Sequence, residues 1–148
     1  MILVFIVLLA LSGLSAFPLR SEIDFLLRNK ESFPPFLQNW VTKLYSVIDN
    51  TPDIMLYGTD WLAFAHLIIA AFFIGVYIDP VRNKFNVWVG MFACIAIFPL
   101  AFIMGPIRGI PFFHQLIDCS FGVFGFIPLY FINKKIKQIE NQHVYFIR

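Results

Sequence analysis

Charge is scarce in this chain. Only 14% of its 148 residues are Asp, Glu, Lys or Arg, against about 25% in an ordinary soluble domain. Eleven basic and nine acidic residues leave a net charge of +2, too little for a nucleic-acid footprint. Cysteine is scarce as well. Cys94 and Cys119 each stand alone in an apolar run, which excludes a CxxC metal or redox pair and reads as two packed free thiols. There is no glycine-rich phosphate loop, no GxSxG elbow and no HExxH pair. P-loop nucleotide hydrolysis, α/β-hydrolase chemistry and zinc proteolysis therefore have no motif to rest on. No cofactor is expected, and the chain has no internal repeat or low-complexity tract.

What the chain has in excess is apolar surface. Hydrophobic residues make up 59% of it, and nineteen residues are Phe. The mean hydropathy is +0.78. The excess falls in long runs, and long runs need lipid around them.

Residues 1–17 are apolar apart from Ser12 and Ser15. Two readings fit: a signal peptide, whose small residues would be Ser12, Gly13, Ser15 and Ala16, or a signal anchor kept as a short first span. No Lys or Arg precedes the run, so we favour a retained helix. Residues 18–58 hold nine of the formal charges together with Pro34, Pro35 and Pro52. Ser21 with Asp24 resembles a helix N-cap. Pro34-Pro35 breaks the chain and starts a helix in which Phe36, Leu37, Trp40, Val41, Leu44, Tyr45, Val47 and Ile48 recur at helical spacing. That helix either lies in the membrane interface, with Trp40 and Tyr45 at headgroup level, or packs as an ordinary amphipathic helix.

Residues 59–137 read as three spans. Thr59-Asp60 can cap the first, residues 61–78, which contains one ionisable residue, His66. A polar turn at 79–84 leads to the second, residues 85–104, which has no formal charge and a mid-span Pro99. Turn formers at 105–111 lead to the third, residues 112–132, interrupted by His114, Gln115 and Asp118. Lys134, Lys135 and Lys137 follow, and residues 138–148 form a polar tail. Basic residues beside short loops mark the cytoplasmic side. This rule puts the C-terminus and the 79–84 turn inside, and residues 18–58 and the 105–111 turn outside.

On that topology Asp60, His66, Arg108, His114 and Asp118 share the outer-leaflet depth. Ionisable groups at such depth usually face the bundle interior and find partners. His114, Asp118, Gly122 and Gly125 form one helical stripe. Thr59, Ala63, His66, Ala70 and Tyr77 form another, and the simplest packing lays the two together. Several roles suit the five residues. An Arg108–Asp118 ion pair, with the histidines as hydrogen-bond partners, would fix helix register. A pocket at Arg108 would bind a lipid headgroup or small anion. A His114–Asp118 pair would serve proton transfer in an enzyme or ion-coupled transporter. A metal site lacks supporting spacing, and no metal is expected.

Four segments carry a family resemblance: residues 57–66 (YGTDWLAFAH), 79–83 (DPVRN), 105–111 (GPIRGIP) and 116–129 (LIDCSFGVFGFIPL). In these the chain resembles an uncharacterised family of small bacterial multi-pass integral membrane proteins. The resemblance implies a bacterial cytoplasmic-membrane setting and no particular activity.

The expected architecture is an all-α, polytopic transmembrane helix bundle of three spans plus an N-terminal span or signal peptide. Residues 1–17 are the N-terminal helix, 18–58 an extracytoplasmic segment, 59–137 the bundle and 138–148 a cytoplasmic tail. The expected function is binding of a lipid headgroup, small anion or protein partner through an outer-leaflet polar pocket. Membrane lipids are the expected partners, with a homo-oligomer or membrane-protein partner left open and no nucleic acid.

Overall fold

The computed structural model describes the backbone of residues 1–146 and the side chains of residues 1–142. The side chain of His143 and the last residues of the expected tail lie outside that set. Among the described residues six α-helices follow in order: α1 (Ile2–Ser15), α2 (Leu19–Arg28), α3 (Pro35–Asp49), α4 (Asp53–Ile78), α5 (Lys84–Ile107) and α6 (Phe112–Phe146). A 3-10 turn, Lys30–Ser32, joins α2 to α3. No strand occurs among the described residues, so the fold is all-α as expected.

Three of these helices are long and apolar enough to cross a membrane: α4, α5 and α6. At 1.5 Å per residue their 26, 24 and 35 residues give about 39, 36 and 52 Å, against a hydrocarbon core of about 30 Å. With its 14 residues, α1 reaches about 21 Å, short for a span alone. It is followed within three residues by α2, bent away by 81°.

The chain divides into two compact units, residues 9–69 and residues 1–8 with 70 onward. The second is organised by an α5–α6 hairpin whose turn is a Schellman motif. Arg108 caps α5, and Gly109 takes the left-handed conformation at φ 66°. The Ile110 amide then donates to the Gly105 carbonyl at 2.9 Å, and the Gly109 amide to that of Pro106 at 3.1 Å. These are the two bonds by which that motif satisfies the last carbonyls of a helix. Gln115, only 4% exposed, reaches back from α6 and donates Nε2 to the Ile110 carbonyl at 2.8 Å.

From this turn the helices run antiparallel. Gly105 meets Gln115, Gly122 meets the Cys94 carbonyl, and Gly90 meets Leu129. Further out, Trp88 Nε1 donates to Asn133 Oδ1 at 2.9 Å, and Lys84 Nζ to Glu140 Oε1 at 2.6 Å. Phe73, Val76, Val87, Leu129, Ile132 and Ile136 are buried around this seam, and Phe5 makes an edge-on contact with Phe73 at 4.8 Å. Cys94 and Cys119 are buried free thiols, as expected. The α4–α5 turn satisfies its own polar groups. Asn83 Nδ2 donates to the carbonyls of Gly75 and Asp79, and the Asp79 carboxylate accepts the Arg82 amide.

In the 9–69 unit, α2 and α3 pack as a helical hairpin over Ile23, Trp40 and Val41. Pro34 is extended and Pro35 occupies the first turn of α3, where a missing amide proton costs nothing. Arg20 closes the hairpin, donating Nη2 to the Thr51 carbonyl and to Asp53 Oδ1, both at 3.1 Å. Gly13 is buried against α4. A β-carbon there would stand 2.8 Å from the Ala63 carbonyl oxygen and 2.9 Å from His66 Cβ.

Several sequence expectations change. Helix α4 begins at Asp53, with Thr59-Asp60 inside it rather than capping it, and Thr59 Oγ1 donates back to the Leu56 carbonyl at 2.6 Å. Pro52 and the acidic Asp53 suit a helix start at least as well. No side chain caps α2, so Ser21 is not its N-cap. Residues 133–142 continue α6 as helix instead of ending it, because Asn133, Ile136 and Glu140 have partners or burial on the hairpin. The glycines of the α6 stripe pack on Cys94 and Phe98 of α5, since the short turn makes α5 its antiparallel neighbour. Trp40 is 8% exposed, which favours the packed reading of α3 at that residue.

The surface left over is apolar. Phe85, Phe92, Leu100, Phe121 and Phe124 are all more than half exposed. No more than 28% of any candidate span is buried. In water these helices would lose the benefit of burying their side chains; in hydrocarbon nothing is lost.

Candidate functional site

The five residues singled out from sequence meet different fates. Arg108 ends α5 with its side chain exposed and without an ion pair among the described residues. The expected Arg108–Asp118 pair does not form. The capping position leaves Arg108 on the turn, while Asp118 stands six residues into α6. The ionic neighbour of Asp118 is instead His114, with Nε2 3.9 Å from Oδ1, both side chains more than a third exposed. That separation exceeds a hydrogen bond. His66 places Nδ1 2.9 Å from the Leu62 carbonyl of its own helix. Its β-carbon faces Gly13, a packing role. Six residues earlier on α4, Asp60 lies about 120° further round the helix. His66 and Asp60 therefore do not share a face.

Asp60 has a setting of its own. It lines an open cleft of about 290 Å³ together with Phe17, Pro18, Leu19, Arg20, Ser21, Asp53, Leu56 and Thr59. Local structure explains the convergence. The bend between α1 and α2 carries Phe17 to Ser21 to one side of the cleft, and the first two turns of α4 supply Asp53, Leu56, Thr59 and Asp60 to the other. The Arg20–Asp53 ion pair, 3.1 Å long, ties the two sides together.

The cleft is chemically mixed. Phe17, Pro18, Leu19 and Leu56 give it apolar walls. Arg20 uses only Nη2 in its hydrogen bonds, so Nε and Nη1 keep donors to offer. Asp60 is half-buried and makes neither hydrogen bond nor ion pair among the described residues. Immediately beyond it begins the apolar stretch of α4 from Trp61 to Ile78, which holds no Asp, Glu, Lys or Arg. Sequence reasoning found Asp60 but missed Arg20, Ser21, Asp53 and Thr59. The available signal was positional: Arg20 follows the first apolar run and Asp53 precedes the second.

No group of three or more His, Cys, Asp or Glu side chains that could hold a metal occurs among the described residues. A second, wholly apolar groove lies on the α5–α6 hairpin beside Cys94, Phe98, Gly122 and Phe126. It offers no polar chemistry.

Fold and site together define an all-helical protein whose described residues include three helices able to cross a membrane and a polar cleft at the end of one of them. No protein-family model, curated protein or solved structure matches the chain.

Proposed function

We propose that this chain is a small multi-pass protein of the bacterial cytoplasmic membrane that binds a lipid headgroup in the Arg20–Asp60 cleft. One observation carries the reading: charged and hydroxyl groups converge between apolar walls at Asp60, the last formal charge of α4 before its apolar stretch from Trp61 to Ile78. Such a point lies at headgroup depth when the 18 residues from Trp61 to Ile78, about 27 Å of helix, sit in hydrocarbon. A protein partner or free small anion would not need that depth. Chemistry at His114 and Asp118 has weaker support, because their 3.9 Å separation is longer than the hydrogen bond of an oriented imidazole–carboxylate pair.

The orientation follows the basic residues. Arg82 and Lys84 in the α4–α5 turn, and Lys134, Lys135 and Lys137 on α6, belong on the cytoplasmic side. The cleft then opens outward. Packing of Gly13 against Ala63 supports α1 as a retained helix. In intact cells, a thiol-free background (Cys94 and Cys119 replaced) carrying Ser21→Cys is expected to react with an impermeant maleimide. The same background carrying Lys135→Cys is expected to react only after permeabilisation. The reverse pattern would invert the topology.

The binding reading has its own test. Native mass spectrometry of the full chain in mild detergent is expected to find one phospholipid retained per protein. An Arg20→Ala, Asp60→Asn double variant that keeps its helical circular dichroism should retain at least about threefold less, the scale of one or two partly exposed polar contacts. Equal retention by the double variant would remove the cleft from lipid binding.

A further inference from the structure

We infer that the headgroup this cleft accepts is zwitterionic and carries a primary amine, as a phosphoethanolamine headgroup does. The inference rests on the lipid-binding reading above and narrows it by charge and by hydrogen-bond chemistry.

Charge comes first. The cleft holds one guanidinium and two carboxylates. Arg20 and Asp53 are already paired at 3.1 Å. The carboxylate left over belongs to Asp60, which has no partner among the described residues. A headgroup with only negative charge would bring its phosphate toward an uncompensated carboxylate, where like charges repel. A headgroup with a cation beyond the phosphate gives Asp60 its partner. Its phosphate can meanwhile take the donors Arg20 leaves unused at Nε and Nη1, and the hydroxyl of Ser21, which makes no hydrogen bond among the described residues.

Hydrogen bonding then separates the two common kinds of cation. Beside Asp60 the cleft offers acceptors: its own carboxylate and the neighbouring Thr59 oxygen, whose proton is already committed to the Leu56 carbonyl at 2.6 Å. An ammonium with three N–H donors fits that set. A quaternary ammonium has no N–H donor and is recognised by cages of aromatic faces. Among the described residues Phe17 alone brings an aromatic ring to this cleft, and one ring is not a cage.

The test varies the ligand before the protein. The full chain in mild detergent is offered equimolar phosphatidylethanolamine, its N-methyl and N,N-dimethyl forms, phosphatidylcholine and phosphatidylglycerol with identical acyl chains, and retained lipid is read by native mass spectrometry. Retention is expected to fall stepwise as N–H donors are lost. Phosphatidylethanolamine should exceed both phosphatidylcholine and phosphatidylglycerol by about three- to fivefold, the range of an exposed to half-buried ion pair. Asp60→Asn should bring phosphatidylethanolamine down to the phosphatidylcholine level while leaving phosphatidylglycerol unchanged or raised. Equal retention across the methylation series, or preference for phosphatidylglycerol, would overturn the amine inference while leaving headgroup binding intact. Retention of none of the five would overturn both. Because the methylation series uses the unaltered chain, the result stands even if Asp60→Asn does not fold.

Discussion

Phe92→Arg is expected to block membrane integration of α5 in a large fraction of molecules. Phe92 is 71% exposed and lies about 5 Å along the helix from the midpoint of α5. In a soluble protein an exposed side chain can be exchanged within about ±0.5 kcal/mol. If that surface meets acyl chains, an Arg near mid-span costs about 2.5–3.5 kcal/mol on the insertion scale, and the lost Phe adds a few tenths. The total, about 3 kcal/mol, corresponds to more than a hundredfold shift in the insertion equilibrium. Carbonate extraction and protease protection of the 105–111 turn would read it, with Phe92→Leu as the control. If the Phe92→Arg protein integrates as well as the Phe92→Leu control, the exposed apolar surface of α5 is not facing lipid, and the span assignment loses its energetic basis.

Gly122→Leu is expected to open the α5–α6 hairpin. A β-carbon on Gly122 would stand 2.6 Å from the Cys94 carbonyl oxygen and 3.2 Å from Phe98 Cε2. The first of these atoms belongs to backbone and cannot rotate away. Alanine therefore already requires the helices to separate by several tenths of an ångström, and leucine requires more. Overpacking of this kind costs about 1–3 kcal/mol, so the melting temperature in detergent should fall by up to about 10 °C. Gly58 supplies the contrast. It lies within α4 with nothing within 4 Å of its would-be β-carbon, so Gly58→Ala should be neutral or stabilising by up to about 1 kcal/mol. Equal responses at the two positions would mean that the close Gly122–Cys94 approach does not hold the hairpin.

The three spans were legible in the sequence because each is a long, predominantly apolar run, a property of composition that no neighbour alters. The connections were legible for a similar reason. Asp79 to Lys84 and Gly105 to Pro111 are dense in turn formers, and Gly109 takes the one backbone conformation there that favours glycine. Helix ends were harder. The apolar run suggested that α4 starts near Thr59 and that α6 stops near Ile132, yet α4 begins at Asp53 and α6 runs on to Phe146. Polar residues can continue a helix when packing supports it, as Asn133 and Glu140 do through Trp88 and Lys84.

Which residues meet was decided by tertiary structure alone. Spacing showed the glycine stripe of α6 but not which helix it faces, because α5, apolar on every side, carries no stripe to mark it as the partner of Gly122. The same ambiguity hid the cleft. Asp60 looked like a companion of His66, Arg108, His114 and Asp118 because all share a depth. Depth says nothing about rotation round a helix axis, and the bend after α1 brings Arg20 and Ser21 to Asp60 from about forty residues away in sequence. Solvent preference, summed along the chain, determined where this protein lives. Rotation and bending of rigid helices, which single residues do not encode, determined what its scarce charges face.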